Sequence, residues 1–162
     1  MTAPTFTMSR RFEASPQLVW RAWTEEELLQ RWYGPGVETK VHRFEPTAGG
    51  LWLHEMLMGD QSMYQRIEFL EVEPPTKLVM LMSNANAAWE VIPSPMMQDW
   101  PRRLLTTVTF LAEGEGCDMT LEWTPYEATP AEKAAFDAAL SGLDQGWGKG
   151  MDVIAEIVAE LS

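Results

Sequence analysis

The chain has 162 residues, 46% of them hydrophobic, and 24 acidic against 12 basic side chains give a net charge of −12. The length suits a single domain, residues 1–162, with a real core. The negative charge argues against nucleic acid and anionic membrane surfaces as partners. One cysteine excludes an internal disulfide framework, and no apolar run approaches the ~18–20 residues of a bilayer span, so membrane insertion is not expected. Residues 1–11 lack the uninterrupted apolar stretch of a signal peptide, which makes the cytoplasm the expected location. Eight tryptophans and eleven methionines suit an irregular interior or an adaptable binding surface.

Residues 5–12 alternate weakly and predict a first strand. Ser15-Pro16 then opens a helix with Leu18, Val19, Ala22 and Trp23 on its apolar face. Thr24 with Glu27 has the spacing of a capping box and predicts a second short helix through Leu28, Leu29 and Trp32, stopped by Gly34-Pro35-Gly36. From Val37 the period becomes two. Strands are predicted at 37–44, 51–58, 61–73, 77–83, 102–112 and 117–124. Gly59-Asp60 and residues 113–116 read as tight hairpins, and Pro74-Pro75 as a break. Residues 77–83 are nearly all apolar, as in a strand covered on both sides. Residues 84–101, with Pro93, Pro95, Pro101, Trp89, Trp100 and Met96-Met97, read as an irregular flexible loop. Cys117 alternates with Met119, Leu121 and Trp123, the pattern of a buried strand residue rather than a nucleophile.

Residues 129–162 predict one long amphipathic helix. Phe136, Leu140, Leu143, Trp147, Met151, Ile154 and Val158 recur at steps of three or four. Thr129 with Glu132 makes a capping box, and Pro130 takes the first helical position. Gly142, Gly146, Gly148 and Gly150 each cost roughly 1 kcal/mol against alanine inside a helix. A kink, a close approach to a neighbour, or room for a ligand would offset that cost.

Short turns between consecutive strands imply an antiparallel sheet with one apolar face to cover, and only the last helix is long enough to cover it. The fold class is therefore α+β: a curled antiparallel sheet of about seven strands around a long C-terminal helix, with two short helices after strand one. The segments Arg11-Phe12-Glu13-Ala14-Ser15-Pro16, Val19-Trp20-Arg21-Ala22-Trp23-Thr24 and Arg31-Trp32-Tyr33-Gly34-Pro35 resemble the opening signature of the START-like (SRPBCC) superfamily. Gly49-Gly50, Glu71-Val72-Glu73-Pro74-Pro75-Thr76-Lys77-Leu78-Val79 and Gly146-Trp147 resemble its other landmarks. Together they point to the AHSA-like branch, named after the activator of the heat-shock chaperone ATPase. The resemblance covers nearly the whole chain and implies the helix-grip fold, with a cavity between sheet and long helix. It does not choose a reaction, because the superfamily holds carriers, cyclases and a co-chaperone domain.

His54 shares a strand face with Trp52 and Met56, and the resemblance turns that face inward. It could hydrogen-bond a ligand or act as a base, or it could be a core histidine bonded to a neighbouring strand. His42 stands beside Arg43 and reads as exposed. These histidines and one cysteine fit no metal-ligand spacing, so neither metal nor cofactor is expected. No nucleophile elbow or phosphate loop occurs. Tyr64, Arg66 and Glu68 share one face of a strand, with the inward face left open. The expected cavity lining is Trp52, His54, Met56, Val108, Phe110, Leu121 and Trp123 from the sheet, with Leu143, Trp147 and Met151 from the helix. Core filling alone would also account for these residues. Three functions follow as expectations: binding of a small hydrophobic ligand, with 84–101 as a gate; a cyclase- or hydrolase-type enzyme using His54; or a co-chaperone-like or homodimeric interaction module, with Leu51 and Leu53 facing outward.

Overall fold

The period-two segments pair into one seven-stranded sheet in the computed structural model, which describes residues 4–33, 38–94 and 99–162. The strands are β1 (Phe6–Phe12), β2 (Glu38–Phe44), β3 (Leu51–Met58), β4 (Gln61–Glu73), β5 (Lys77–Ala85), β6 (Arg103–Glu113) and β7 (Gly116–Pro125). Their order is β1-β7-β6-β5-β4-β3-β2, and every pairing is antiparallel. Hairpins connect β2 through β7 in sequence, and only the β1–β7 pair is distant in the chain. β5 is therefore the middle strand, and its run from Leu78 to Ser83 is buried throughout. Elsewhere alternation decides the inner face: Leu104, Thr106, Val108 and Phe110 on β6 are buried, as are Cys117, Met119 and Leu121 on β7.

Between β1 and β2 lie α1 (Pro16–Thr24) and α2 (Glu26–Trp32). Ser15 is the N-cap of α1, as its Ser-Pro pair predicts. The predicted second capping box does not form. Thr24 is instead the last residue of α1, and its hydroxyl donates to the Trp20 carbonyl at 2.8 Å. Glu25 takes the N-cap of α2. The expected stop at Gly34-Pro35-Gly36 and the loop residues Pro95 and Met96-Met97 lie outside the described residues.

The C-terminal segment is two helices rather than one: α3 (Pro130–Ala139), a 3₁₀ turn (Leu140–Gly142) and α4 (Leu143–Leu161). Its start is as the sequence predicts. The Thr129 hydroxyl accepts from the Glu132 amide at 3.1 Å, and Glu132 Oε1 accepts from the Thr129 amide at 2.9 Å. Glu132 Oε2 also accepts from the Arg102 amide at 2.9 Å, which ties the helix start to the entry of β6. The break falls at Ser141-Gly142, where helix propensity is poor and a tighter turn costs little. Beyond it, Met151, Ile154, Ile157 and Val158 are buried in the core shared by the sheet and both short helices. This architecture is the helix-grip fold.

Candidate functional site

The end of α2 brings Trp32 and Tyr33 against α4. Trp32 is buried, and its indole Nε1 donates to the Ala22 carbonyl at 2.7 Å, fixing α2 on α1. Gly150 on α4 lies against it: a Cβ there would stand 3.1 Å from Trp32 Cε3 and 3.2 Å from the Trp32 carbonyl oxygen. One helix glycine is thus explained by close approach. Gly142, Gly146 and Gly148 are different, since a Cβ at any of them would have no atom of the described residues within 4 Å.

Gly142 and Gly146, though not Gly148, border a pocket of about 330 Å³. Trp32 and Tyr33 form one wall, Gln65 of β4 and Trp123 of β7 the sheet side. The start of α4 closes it with Leu143, Trp147 and the bare backbone of Gly142, Gly146 and Gly150. None of these side chains is charged. The wall belongs to a continuous run of rings. Trp147 stacks on Trp23 at 6.4 Å and meets Trp123 edge-on at 5.6 Å, Trp123 packs on Phe136 at 5.8 Å, and Trp23 packs on Trp32 at 4.5 Å.

The lining holds one hydrogen-bonded side-chain pair, beside a buried Trp123 indole N–H that has no partner among the described residues. Tyr33 donates its hydroxyl hydrogen to Gln65 Oε1. Burial raises the Tyr33 pKa far above the usual phenol range, and the bond to Gln65 only partly opposes this, so the hydroxyl stays protonated. Because Gln65 Oε1 accepts from Tyr33, the Gln65 amide turns its NH₂ donors to whatever else reaches it.

Of the ten residues expected to line the cavity, Trp123, Leu143 and Trp147 meet at this pocket. Val108, Phe110, Leu121 and Met151 are buried in the packed core, and Met56 is half-buried opposite Met63. Trp52 and His54 pack against Tyr33, both at 4.8 Å between ring centres, and both are buried. The Trp52 indole donates to His54 Nδ1 at 3.2 Å, so the imidazole proton sits on Nε2, which finds no acceptor among the described residues. Cys117 is buried and free, and burial, reinforced by Asp118, raises its thiol pKa to about 11.

Trp32, Tyr33 and Gln65 escaped sequence reasoning as lining residues. Gln65 had a usable signal: it alternates with Ile67 and Phe69, a lone amide on an inward apolar face. Tyr64, Arg66 and Glu68 therefore lie on the outer face, where Arg66 approaches Glu68 at 3.6 Å. His42 is exposed there too, 2.7 Å from Glu55, which also accepts from Ser62 at 2.5 Å. Those bonds, Ser62 first and His42 second, lower the Glu55 pKa. Leu51 and Leu53, expected to face outward, are half-buried and pair with Glu68 and Arg66.

The two kinds of glycine predict opposite outcomes. Gly146→Ala meets open space and should raise stability by about 1 kcal/mol through helix propensity. Gly150→Leu must push against a Trp32 that cannot retreat, and should cost about 1–3 kcal/mol. Urea midpoints of the two variants, compared with the parent, check both signs.

Residues 13–159 match the family described as Activator of Hsp90 ATPase homolog 1-like protein. The chain belongs to this family. No curated protein matches it. Among solved structures, it is similar to a protein of Arthrobacter aurescens, at 22% identity and a TM-score of 0.78, covering 98% of this chain and 87% of that one. A Rhodobacter sphaeroides protein is 20% identical with a TM-score of 0.78, covering 99% and 95%. A Mycobacterium smegmatis protein is 21% identical with a TM-score of 0.75, covering 94% and 89%. At these identities the likeness shows the START-like fold. Among the described residues, no helix is long and apolar enough to cross a membrane.

Proposed function

We propose that this AHSA-like chain is a non-catalytic binding domain that holds one small hydrophobic molecule between the sheet and α4. The observation that carries this reading is the open space over Gly142 and Gly146, in a pocket of about 330 Å³ walled by Trp32, Trp123 and Trp147. Gly146 spends helix stability without gaining a contact among the described residues, and a ligand face explains why a side chain is absent there. The cavity residues expected from sequence then act in two tiers. Trp123, Leu143 and Trp147 meet the ligand, while Trp52, His54, Met56, Val108, Phe110, Leu121 and Met151 hold the walls. The cytoplasm is the proposed location, in keeping with a single buried thiol.

The test is a melting-temperature screen of uncharged apolar compounds, with native mass spectrometry of each hit. A ligand at 100 times its Kd adds about 2.7 kcal/mol, which for a chain of this size raises Tm by about 5–10 °C. Gly146→Leu projects a side chain into the pocket and should fold normally yet lose every hit. If no compound binds, or if Gly146→Leu binds as well as the parent, this function is wrong.

A further inference from the structure

We infer that the ligand is an uncharged aromatic molecule of about two fused rings carrying one oxygen, a hydroxyl or carbonyl, held by the Gln65–Tyr33 pair. This rests on the binding role proposed above and adds its chemical class. Size comes first: an apolar cavity of about 150 Å³ holds one benzene ring, so a pocket of about 330 Å³ takes roughly two. Shape comes from the rings. Trp123 and Trp147 stand at 84° to one another in an edge-to-face contact, so a flat ring laid parallel to one of them meets the other edge-on. Aromatic pairs favour edge-to-face and offset geometries, and a flat ring can adopt both there. A puckered, saturated molecule of the same length would satisfy neither.

Charge follows from the lining. No lining side chain is charged near neutrality: the Tyr33 phenol is protonated there at its ordinary value, and burial only raises it further. An ionised ligand would lose its hydration without meeting a countercharge, and the chain's net charge of −12 makes an anion still less welcome. Two polar features stand in the lining: the Gln65–Tyr33 pair, and the buried Trp123 indole N–H, which has no partner among the described residues. Tyr33 donates to Gln65 Oε1, which leaves the Gln65 NH₂ as donor and the Tyr33 oxygen as acceptor at the pocket wall. A hydroxyl can answer both groups, and a carbonyl can answer the amide. A ligand with no oxygen would leave the pair unanswered.

The test titrates four probes of one shape by calorimetry or ligand-observed NMR: 2-naphthol, naphthalene, 2-naphthoate and decahydro-2-naphthol. We expect 2-naphthol to bind about fivefold tighter than naphthalene, the margin of one net hydrogen bond. The carboxylate and the saturated alcohol should each bind at least about tenfold more weakly than 2-naphthol. Gln65→Met, which nearly conserves volume, should leave naphthalene unchanged and erase the naphthol advantage. Tyr33→Phe, which frees Gln65 Oε1, should reduce that advantage and serves if Gln65→Met does not fold. Equal or tighter binding of the carboxylate, or a naphthol advantage that survives both substitutions, overturns the assignment. Should decahydro-2-naphthol bind in a Gly146→Leu-sensitive way while 2-naphthol does not, the ligand class falls and the binding role stands. Should no probe bind the parent, the ligand class falls, and the binding role falls with it only if the apolar screen also yields no hit.

Discussion

Trp32→Ala is expected to remove about 3–5 kcal/mol of stability, a large share of what a domain of this size has. The side chain is 1% exposed and joins three elements at once. Its ring packs on Trp23 of α1, and its face lies under Gly150 of α4. Its Nε1 donates to the carbonyl of Ala22, in the last turn of α1, where carbonyls have no partner within the helix. Alanine leaves a cavity and strands that carbonyl together. Trp32→Phe separates the two effects, because it keeps most of the ring and loses the bond, for about 1–2 kcal/mol. Urea unfolding of both variants measures this. A double-mutant cycle sharpens it: Gly150→Leu, costly in the parent, should cost much less in the Trp32→Ala background, where the void accepts the new side chain. An identical cost in both backgrounds would show that the Trp32 contact is not why position 150 is glycine.

That glycine also shows how far the sequence could be read. The sum of glycines posed a definite question, and the answer differed along the segment, with contact at Gly150 of α4 and space at Gly146 of α4 and at Gly142 in the 3₁₀ turn. Period alone places all three on one face, but it carries no information about what the face meets. The strand order was legible because each hairpin is local, and the β1–β7 pairing follows once a single sheet must bury one face. The Thr129–Glu132 capping box was legible because its bonds span three residues. The Thr24–Glu27 spacing is equally good on paper and failed, because α1 ran on to Thr24 and took that hydroxyl for its own backbone.

The candidate site was read less fully, and the reason is similar. Trp123, Leu143 and Trp147 announce themselves as bulky residues at periodic positions, and they line the pocket. Tyr33 follows the end of α2, where no period applies, and its partner Gln65 is 32 residues away. What makes them a site is that α2 and β4 converge on α4, a tertiary fact. Their polarity is also modest, an amide and a phenol, and gives no motif of the kind that a catalytic acid or metal ligand would.

His54 carries the remaining prediction: stability should fall by about 2 kcal/mol between pH 7.5 and pH 5, and His54→Gln should abolish most of that fall. Burial, with a smaller repulsion from His42, pushes its pKa down to about 4 from an ordinary value of 6.5. The geometry gives the same sign. Nδ1 already accepts the Trp52 indole hydrogen at 3.2 Å, so a second proton would set two N–H groups against each other. Among the described residues the Nε2 hydrogen has no acceptor to offset its burial. Above pH 6.5 the ring is neutral in both folded and unfolded chains and contributes no slope. As pH drops below 6.5 the unfolded chain takes up a proton that the folded chain refuses, so stability declines, by up to about 1.4 kcal/mol per pH unit. The decline ends near pH 4, once the folded ring is protonated as well, after a total of about 3 kcal/mol. The lowered carboxylates Glu45, Glu55 and Glu132 also lose stability in acid, but only as pH falls below their unfolded values near 4.5. The interval from pH 6.5 to pH 5 therefore lies above those carboxylates. Glutamine can still accept the Trp52 hydrogen and cannot titrate, so the difference between parent and variant removes every other ionising group from the comparison. Equal slopes in the two proteins would mean that His54 is protonated in the folded chain at an ordinary pH, and that the aromatic shell of Trp52 and Tyr33 is wet.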